Sequence, residues 1–156
     1  MAYLELDGIA KEYGGRTVLR PTTLHVERGE FVCFLGPSGS GKTTLLNCLC
    51  GVTEPSGGRV LLEGSDITRV PLERRHFGVV FQQYALFPNL TAAGNVAYGL
   101  RGMAPAARRQ RVADMLRLVG LEELGARLPA RLSGGQQQRV AVARALAPSP
   151  RLLLMD

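Results

Sequence analysis

The chain has 156 residues, of which 46% are hydrophobic and 21% charged, and its net charge is +6. This length and composition predict one globular domain with its own core and exclude an intrinsically disordered chain. The first residues lack the basic-then-apolar pattern of a signal peptide, and no apolar run approaches the roughly 18 residues of a membrane span. We therefore expect a protein that is neither secreted nor integral to a membrane.

The first third of the chain predicts a half-exposed antiparallel sheet followed by a buried strand. Residues 3–9 and 17–26 alternate apolar and polar side chains, and the Gly-Gly pair between them is typical of a tight turn. The run FVCFL at 31–35 is continuously apolar, as are strands of a parallel sheet that is covered on both faces. A further strand is predicted after the turn in EPSGGRVLLEG, residues 54–64.

The rest of the chain predicts strands that alternate with helices, which favours a mixed α/β fold. The apolar run FGVVF at 77–81 predicts a second buried parallel strand. From about residue 91 to 117 the apolar period changes toward 3.6, so helices are expected there, and a last helix is expected at 135–146. The segment RLLLM, residues 151–155, is expected to return to the sheet as a strand.

The positive charge raises the question of a nucleic-acid partner. The densest basic cluster is Arg108, Arg109 and Arg111, in a segment with helical periodicity. The apolar positions of that segment are Val112, Met115, Leu116 and Val119. Their spacing leaves the arginines largely on the opposite face. We therefore expect a solvated helix face and no nucleic-acid partner.

The cysteines Cys33, Cys48 and Cys50 all lie inside apolar segments. Their number is odd, and neither a second cysteine pair nor a histidine stands at metal-ligand spacing. We expect reduced thiols in the core.

The motif GPSGSGKTT at 36–44 follows an apolar run, precedes a helical pattern and fits GxxxxGK[ST]. Its glycines let backbone N–H groups approach phosphate oxygens closely, and the helix that follows contributes the positive end of its dipole. Lys42 can then reach the β- and γ-phosphates of a nucleotide, and the Thr43 hydroxyl can ligate Mg²⁺. A glycine-rich turn without a ligand is the alternative, but it would not require the Lys and Thr in register.

A second anion site is predicted in LSGGQQQRVAVARAL, residues 132–146. Ser133, Gly134 and Gly135 stand directly before a helical pattern, so a hydroxyl and unpaired backbone N–H groups are expected at a helix N-terminus. Two such helix starts are redundant for one nucleotide in one chain. A dimer removes the redundancy if each of these motifs caps the nucleotide that the 36–44 loop of the other chain holds.

In this order, GPSGSGKTT, VVFQQYALFP, LSGGQQQRVAVARAL and RLLLMD resemble the Walker A, Q-loop, signature and Walker B motifs of the ATP-binding subunits of ABC transporters. The resemblance covers essentially the whole chain. It implies a P-loop NTPase (RecA-like) α/β core with an antiparallel β-subdomain and an inserted α-helical subdomain, the C-terminal part of the core being missing. The implied division is 1–81 for the β-subdomain and Walker A core, 82–134 for the Q-loop and helical subdomain, and 135–156 for the signature helix and Walker B strand.

The resemblance also implies the cofactors ATP and Mg²⁺ and a set of site residues. Catalytic roles fall on Gln82, which would contact Mg²⁺ or the attacking water, and on Asp156, which would hold the metal together with Thr43. Tyr13 would stack on adenine, although a plain surface tyrosine at a strand end is an alternative. The residues expected to bind the nucleotide are Tyr13, Gly36, Pro37, Ser38, Gly39, Ser40, Gly41, Lys42, Thr43 and Thr44, and, facing the γ-phosphate of a second chain's nucleotide, Ser133, Gly134, Gly135 and Gln136.

The implied partners are a second ATP-binding subunit, transmembrane permease subunits that dock near Gln82–Pro88, and indirectly a solute-binding protein. The expected contact is an apolar surface around Leu86, Phe87 and Pro88. Such a subunit lies peripherally on the cytoplasmic face of the cell membrane and couples Mg-ATP hydrolysis in a head-to-tail dimer to solute uptake. Within the family, the segment 66–100 resembles importers for phosphonates and iron most, and YALFPNLT is similar to those for polyamines and sugars as well.

In the family, Walker B continues with a glutamate that polarises the attacking water, and a histidine that senses the γ-phosphate follows one strand later. The sequence ends at Asp156, and neither His25 nor His76 matches that histidine, so both are expected at the surface or in a turn. We therefore expect the chain to be the N-terminal part of a longer subunit, to bind ATP weakly and not to hydrolyse it usefully alone. Steady-state turnover above about 0.1 per second would contradict this expectation.

Two alternatives come from other classes of protein. A soluble ABC-type ATPase that acts on DNA or ribosomes would suit the basic charge, but the motif spacing leaves no room for the long insertions or second cassette usual there. It would co-purify with nucleic acid at high salt. A short, non-catalytic nucleotide-binding module would have to be a stable fold at 156 residues, which melting with and without Mg-ATP would test.

Overall fold

The structure, a computed structural model, describes residues 2–156. Its strands are β1 (Leu4–Tyr13), β2 (Arg16–Val26), β3 (Gly57–Leu62), β4 (Ser65–Asp66), β5 (Phe77–Val80) and β6 (Leu152–Met155). Its α-helices are α1 (Lys42–Cys50), α2 (Leu72–Arg75), α3 (Ala92–Ala97), α4 (Pro105–Leu118) and α5 (Gly134–Leu146). Short 3₁₀ helices lie at Glu122–Leu124 and Pro129–Arg131.

The chain divides into two compact units. The first contains the residues up to Arg75 together with Asp156, and the second contains His76–Met155. Among residues 2–156, none of the helices combines the length and the apolarity needed to cross a membrane.

The first unit contains an antiparallel sheet with strand order β2-β1-β3-β4. β1 and β2 form a hairpin in which Tyr13 pairs with Arg16, and the two residues between them, Gly14 and Gly15, both have positive φ. Two consecutive positive φ angles are the geometry of the tight turn that matches the twist of a hairpin. The predicted pair of antiparallel strands is therefore confirmed. The fully buried side chains on this sheet include Leu6, Ile9 and Val60.

Helix α1 ends at a buried arginine. Cys48 and Cys50 lie in its last turn and are buried, as predicted for core thiols, and burial raises the pKa of the Cys48 thiol. Arg75, only 3% exposed, donates from Nη1 to the carbonyl oxygens of Cys48 (3.1 Å) and Leu49 (2.6 Å). The last carbonyls of a helix have no partner within it, so this side chain completes the end of α1.

The predicted strand at 31–35 is not formed. Residues 31–35 have no regular secondary structure, Phe31 and Leu35 are 89% and 92% exposed, and Cys33 is exposed rather than buried. An apolar run becomes a strand only when another strand supplies hydrogen-bond partners. Within residues 2–156, neither sheet includes this segment: one consists of β1 to β4, and the other of β5 and β6.

The second unit contains the parallel pair β5 and β6, with a register from Phe77 opposite Leu152 to Val80 opposite Met155. Both strands were predicted, and the structure confirms them. Helix α5 packs on this pair through Ala141 and Ala145, which contact Val80. The backbones of β5 and α5 lie close together at Gly78, where an added Cβ would be only 2.7 Å from the carbonyl oxygen of Ala145.

The predicted helices of the second unit are α3, α4 and α5, and they share one apolar core. Its buried residues are Ala92, Val96, Leu100, Val112, Met115, Leu116, Leu121, Leu132, Val140, Ala143 and Ala147. The apolar face predicted for α4 is thus confirmed, as are the exposed positions of Arg108 and Arg109. Arg111 differs from the prediction, since it donates to the carbonyl oxygen of Ala147 (2.8 Å) and to Ser149 Oγ (2.9 Å) beyond the end of α5.

The two histidines lie where the sequence predicted. His25 is exposed on β2, with Nδ1 4.0 Å from Glu5 Oε2, and His76 is exposed in the turn between α2 and β5.

Candidate functional site

The motif at 36–44 forms the loop before α1 and the first residues of that helix. Gly39 and Gly41 have φ values of 80° and 93°, in the left-handed region that favours glycine. Gly41 is also the N-cap of α1, and a Cβ there would lie 3.0 Å from the carbonyl oxygen of Val18 on β2. The backbone of Gly41 therefore packs closely against β2, and the first N–H groups of α1 have no partner within the helix.

The ammonium group of Lys42 lies inside this loop. Its Nζ is 2.7 Å from the carbonyl oxygen of Gly36, 2.7 Å from that of Pro37 and 3.0 Å from Ser40 Oγ. An ammonium group has three donors, so the oxygens of the loop satisfy all of them. A positive charge is thus held at a helix N-terminus, where the helix dipole is also positive, and this arrangement favours an anion.

A hydroxyl and a carboxylate meet beside the loop. Thr43 Oγ1 donates to Asp156 Oδ1 at 3.0 Å, across 113 positions of the sequence. Both side chains are exposed, so both can exchange this hydrogen bond for another ligand. The structure thus brings together two of the three residues that the sequence predicted to bind the metal.

These oxygens fit Mg²⁺, which is usually bound by one or two carboxylates together with substrate phosphates and water. Among residues 2–156, no group of three or more His, Cys, Asp or Glu side chains is placed to hold a metal. A metal at Thr43 and Asp156 would therefore need further oxygens from a phosphate ligand or water. The role of these residues as metal ligands stays a prediction.

Gln82 and Tyr13 are both exposed side chains. Gln82 lies just after β5, in the second unit. Tyr13 is the last residue of β1 and is 51% exposed, with Lys11 Nζ 4.9 Å from its ring centroid. This cation–π contact occupies one face of the ring. A contact of Tyr13 with adenine and a contact of Gln82 with Mg²⁺ or water stay predictions.

The motif at 132–136 forms the start of α5, in the second unit. Ser133 Oγ accepts from the N–H of Gln136 (3.2 Å), and Gln136 Oε1 accepts from the N–H of Ser133 (2.9 Å). This reciprocal capping box fixes the N-terminus of the helix. Gly134 and Gly135 lie exposed in the first turn, where backbone N–H groups have no partner within the helix. The predicted helix start is confirmed, while its contact with a second nucleotide stays a prediction.

A groove lies between α3 and α4 in the second unit, with a volume of about 580 Å³. Its apolar floor includes Ala93, Ala97, Val112 and Leu116. The charged residues that line it are Arg108, Arg109, Arg117 and Glu122. Exposed arginines of α4, predicted to be solvated, therefore also line this groove, where Arg117 is paired with Glu122.

Sequence reasoning missed one buried polar side chain, Asn95, which fixes the segment around Phe87. Asn95 is fully buried; its Oδ1 accepts from the N–H of Phe87 (2.9 Å), and its Nδ2 donates to the carbonyl oxygens of Phe87, Leu90 and Thr91 at 3.1 Å each. The only indication in the sequence is an amide residue at a position where the helical period expects an apolar one.

The sequence profile of a family described as "ABC transporter" matches residues 19–156. The spermidine/putrescine import ATP-binding protein PotA of Aggregatibacter actinomycetemcomitans is 50% identical over 155 residues, which are 98% of this chain and 42% of that protein. The Fe(3+) ions import ATP-binding protein FbpC of Agrobacterium fabrum is 49% identical over 152 residues, 96% of this chain and 43% of that protein. The chain thus spans less than half the length of these relatives.

Solved structures of ATP-binding cassettes share the fold of this chain. The dimeric, post-hydrolysis structure of the ATP-binding cassette MJ0796 bound to ADP and Pi matches with a TM-score of 0.86 and 38% identity, over 98% of this chain and 73% of that one. The structure of cbiO1 from Clostridium perfringens, part of the ABC transporter complex cbiONQ, matches with a TM-score of 0.88 and 30% identity, over 99% and 65%. The predicted α/β fold of a P-loop NTPase is therefore confirmed. With its profile matched from residue 19 to 156 and its fold shared with two such cassettes, the chain belongs to the ABC transporter family.

Proposed function

We propose that the chain is the nucleotide-binding part of an import ATPase, which binds Mg-ATP and, in the complete subunit, couples its hydrolysis to solute uptake. The observation that carries this proposal is the Lys42 ammonium group, which the oxygens of the 36–44 loop surround at 2.7 to 3.0 Å beside the Thr43–Asp156 pair. Relatives named as import ATP-binding proteins support it.

The residues of the loop act on the phosphates of ATP. The ammonium group of Lys42 leaves its loop oxygens and pairs with the β- and γ-phosphates, while backbone N–H groups of the loop and of α1 donate to phosphate oxygens. The proposed nucleotide ligands of this loop are Gly36, Pro37, Ser38, Gly39, Ser40, Gly41, Lys42, Thr43 and Thr44. Tyr13 supplies a ring face for adenine.

Thr43, Asp156 and Gln82 are the residues that would hold Mg²⁺. When bound, the ion neutralises charge that develops on the phosphates during transfer. Thr43 Oγ1 and Asp156 Oδ1 lie 3.0 Å apart, so one ion could be held by both oxygens. Gln82 is proposed to orient the attacking water through its amide group.

The proposed active unit is a head-to-tail dimer with a second ATP-binding subunit. In it, Ser133, Gly134, Gly135 and Gln136 face the γ-phosphate that the other subunit holds. The support is the exposed first turn of α5, with its capping box, and a dimeric cassette bound to ADP and Pi that shares the fold. The proposed functional division remains 1–81, 82–134 and 135–156.

Permease subunits are the proposed membrane partners, and they would dock on the second unit near Gln82–Pro88. Partly buried Leu86 and Phe87 and the 580 Å³ groove between α3 and α4 offer apolar surface within that unit. The subunit would thereby lie peripherally on the cytoplasmic face of the membrane, and a solute-binding protein would act through the permease.

Relatives named for different solutes are almost equally similar to this chain. Relatives named for spermidine/putrescine, ferric iron and sulfate/thiosulfate import match at 50%, 49% and 48% identity. Substrate selection by the permease and the solute-binding protein would account for this similarity across cargoes. The proposal therefore extends to solute import and not to one solute.

Nucleotide binding to Lys42→Ala tests the proposal. Calorimetric titration with Mg-ADP should show binding to the wild-type chain and a loss of at least about tenfold in affinity in the variant, because a charge-assisted contact to phosphate is removed. Arg109→Ala is the matched control, since it removes one positive charge from the exposed face of α4. Equal affinities in wild type and Lys42→Ala would contradict the proposal.

A further inference from the structure

The backbone just after Gln82 adopts an unfavourable conformation. Tyr84 and Ala85 have φ values of 61° and 46°, in the left-handed region that residues with a Cβ rarely occupy. Two such residues in succession persist only when their surroundings hold them there. The N–H of Tyr84 donates to the carbonyl oxygen of Phe81 (2.8 Å), and that of Ala85 to the carbonyl oxygen of Gln83 (2.7 Å), so the chain is folded back on itself.

A single arginine of α5 contacts both strained residues. Arg144 Nη1 donates to the carbonyl oxygen of Ala85 at 2.7 Å, and Nη2 donates to that of Tyr84 at 2.8 Å. The guanidinium carbon also lies 5.7 Å from the ring centroid of Phe87. The planar guanidinium group matches two adjacent acceptors, which a lysine ammonium cannot do in the same way.

Among residues 2–156, the charge of Arg144 has no acidic partner. Within the part of the chain that the structure describes, the ion pairs do not include it, and burial lowers the pKa of its guanidinium group. Partial burial of a cation is costly unless hydrogen bonds offset it. The two carbonyl oxygens provide that compensation, so the position of Arg144 and the conformation of 84–85 depend on each other.

The same segment is also hydrogen-bonded by α3. Asn95 exchanges hydrogen bonds with both the N–H and the carbonyl oxygen of Phe87, and the Phe87 ring lies 4.2 Å from that of Tyr98. Residues 84–87 are therefore fixed at one end by α5 and at the other by α3.

We infer that Arg144 is a positioning residue that ties the segment 84–87 to α5, so that the segment follows α5 when that helix moves. The N-terminus of α5 carries Ser133 and its capping box, and the segment lies next to Gln82. Arg144 thereby connects the helix proposed to face a second subunit's nucleotide with the segment proposed to face the permease. This functional meaning rests on the proposed function, but the structural role of Arg144 in holding residues 84–85 does not.

Nuclear magnetic resonance of the 156-residue chain, without nucleotide, tests whether Arg144 holds residues 84–85 in their conformation. A positive φ brings the amide and α hydrogens of a residue close together, so Ala85 should give a strong intraresidue cross-peak in the wild type. In Arg144→Met that peak should weaken, and the amides of Tyr84 and Ala85 should exchange with solvent at least about tenfold faster, equivalent to about 1.4 kcal/mol. Arg144→Lys should give an intermediate result, because one ammonium group replaces a fork of donors.

The matched control is Arg139→Met. Arg139 lies on the same helix and also donates to a backbone carbonyl, that of Val119 at 3.1 Å, but it is exposed. This variant should leave the Ala85 peak and the exchange of 84–85 unchanged. The amides of Val140 and Ala141 in α5 report whether the helix itself remains intact.

A second substitution separates positioning from a general folding defect. Glycine adopts a positive φ without penalty, so Ala85→Gly in the Arg144→Met background should restore much of the lost amide protection at 84–85. An unchanged Ala85 peak in Arg144→Met, or loss of protection throughout α5 that glycine does not restore, would overturn the inference. Because no nucleotide is used, either result stands whether or not the chain binds ATP.

Discussion

Several arginines outside the ion pairs of residues 2–156 donate to backbone carbonyls, among them Arg75, Arg111, Arg139 and Arg144. Arg75 closes the end of α1, Arg111 closes the end of α5, and Arg144 holds the turn after Gln82. Cations are favoured at helix C-termini, where carbonyl groups lack partners and the dipole is negative. These arginines thus serve internal structure, which weakens the argument from net charge to a nucleic-acid partner.

Replacing the buried Arg75 should lower the free energy of unfolding more than replacing an arginine at the surface. Arg75→Met removes four hydrogen bonds to carbonyl oxygens from a buried side chain, so the free energy of unfolding should fall by about 2 to 4 kcal/mol. Urea unfolding followed by circular dichroism measures it. The neighbouring exposed residue provides the control, since Arg74→Met should change the value by less than about 0.5 kcal/mol. Similar losses in both variants would contradict the role given to Arg75.

The cysteines should differ in reactivity. Cys33 is exposed, whereas Cys48 and Cys50 are buried in α1 and the pKa of Cys48 is raised by burial. Iodoacetamide should therefore modify Cys33 in the native chain and all three cysteines in denaturant, because only accessible thiolates react quickly. Mass spectrometry of the peptides identifies the modified residues. Protection of Cys33 in the native chain would show that residues 31–35 are covered, contrary to the structure.

Contiguous residues of the site were predictable from the sequence, but distant contacts were not. Lys42 and the glycines around it stand within one nine-residue motif, so the loop and its chemistry follow from local spacing. Arg75 and Arg144 bond to carbonyls 26 and 59 residues away, and no local pattern distinguishes them from surface arginines. That Thr43 and Asp156 lie close together was expected only because the resemblance to ABC transporter subunits assigns both residues to one metal.

At the scale of elements, periodicity located the helices and most strands well. The start of α5 was the most predictable boundary, because Ser133 and Gln136 stand at the spacing of a capping box. The segment 31–35 was the clearest error, since an apolar run specifies burial but cannot show whether a partner strand is available. Pairing is a property of two segments, and only the structure reveals both.

The cap of α5 should contribute measurably to stability. Ser133→Ala removes the hydroxyl that accepts from the N–H of Gln136, and the free energy of unfolding should fall by about 1 kcal/mol. Ser133→Asp should retain most of the wild-type stability, because Asp is an equally good N-cap and its negative charge interacts favourably with the helix N-terminus. Thermal unfolding by calorimetry compares the three proteins. A stability of Ser133→Ala equal to that of the wild type would contradict the capping role.

At the scale of the whole chain, membership of the ABC transporter family rests on the order of four motifs and on a shared fold. The first unit contains the loop, Thr43 and Asp156, so these three parts of the proposed Mg-nucleotide site lie within residues that pack together. The second unit contains the start of α5, the segment after Gln82 and the groove between α3 and α4. The first unit thus carries the loop, Thr43 and Asp156, and the second carries Gln82, the proposed contact to a second subunit's nucleotide and the proposed contact to the permease.

The most direct test of the central claim is the melting temperature of the chain with ADP, in the presence of Mg²⁺ or of EDTA. A ligand bound only by the folded state stabilises it by about 2.7 kcal/mol at 100 times its Kd. We predict that ADP raises the melting temperature of the wild type more with Mg²⁺ than with EDTA. In Asp156→Asn, the excess due to Mg²⁺ should be lost while the metal-independent shift from Lys42 and the loop remains. No shift with ADP under either condition, or an unchanged Mg²⁺ excess in Asp156→Asn, would contradict the account.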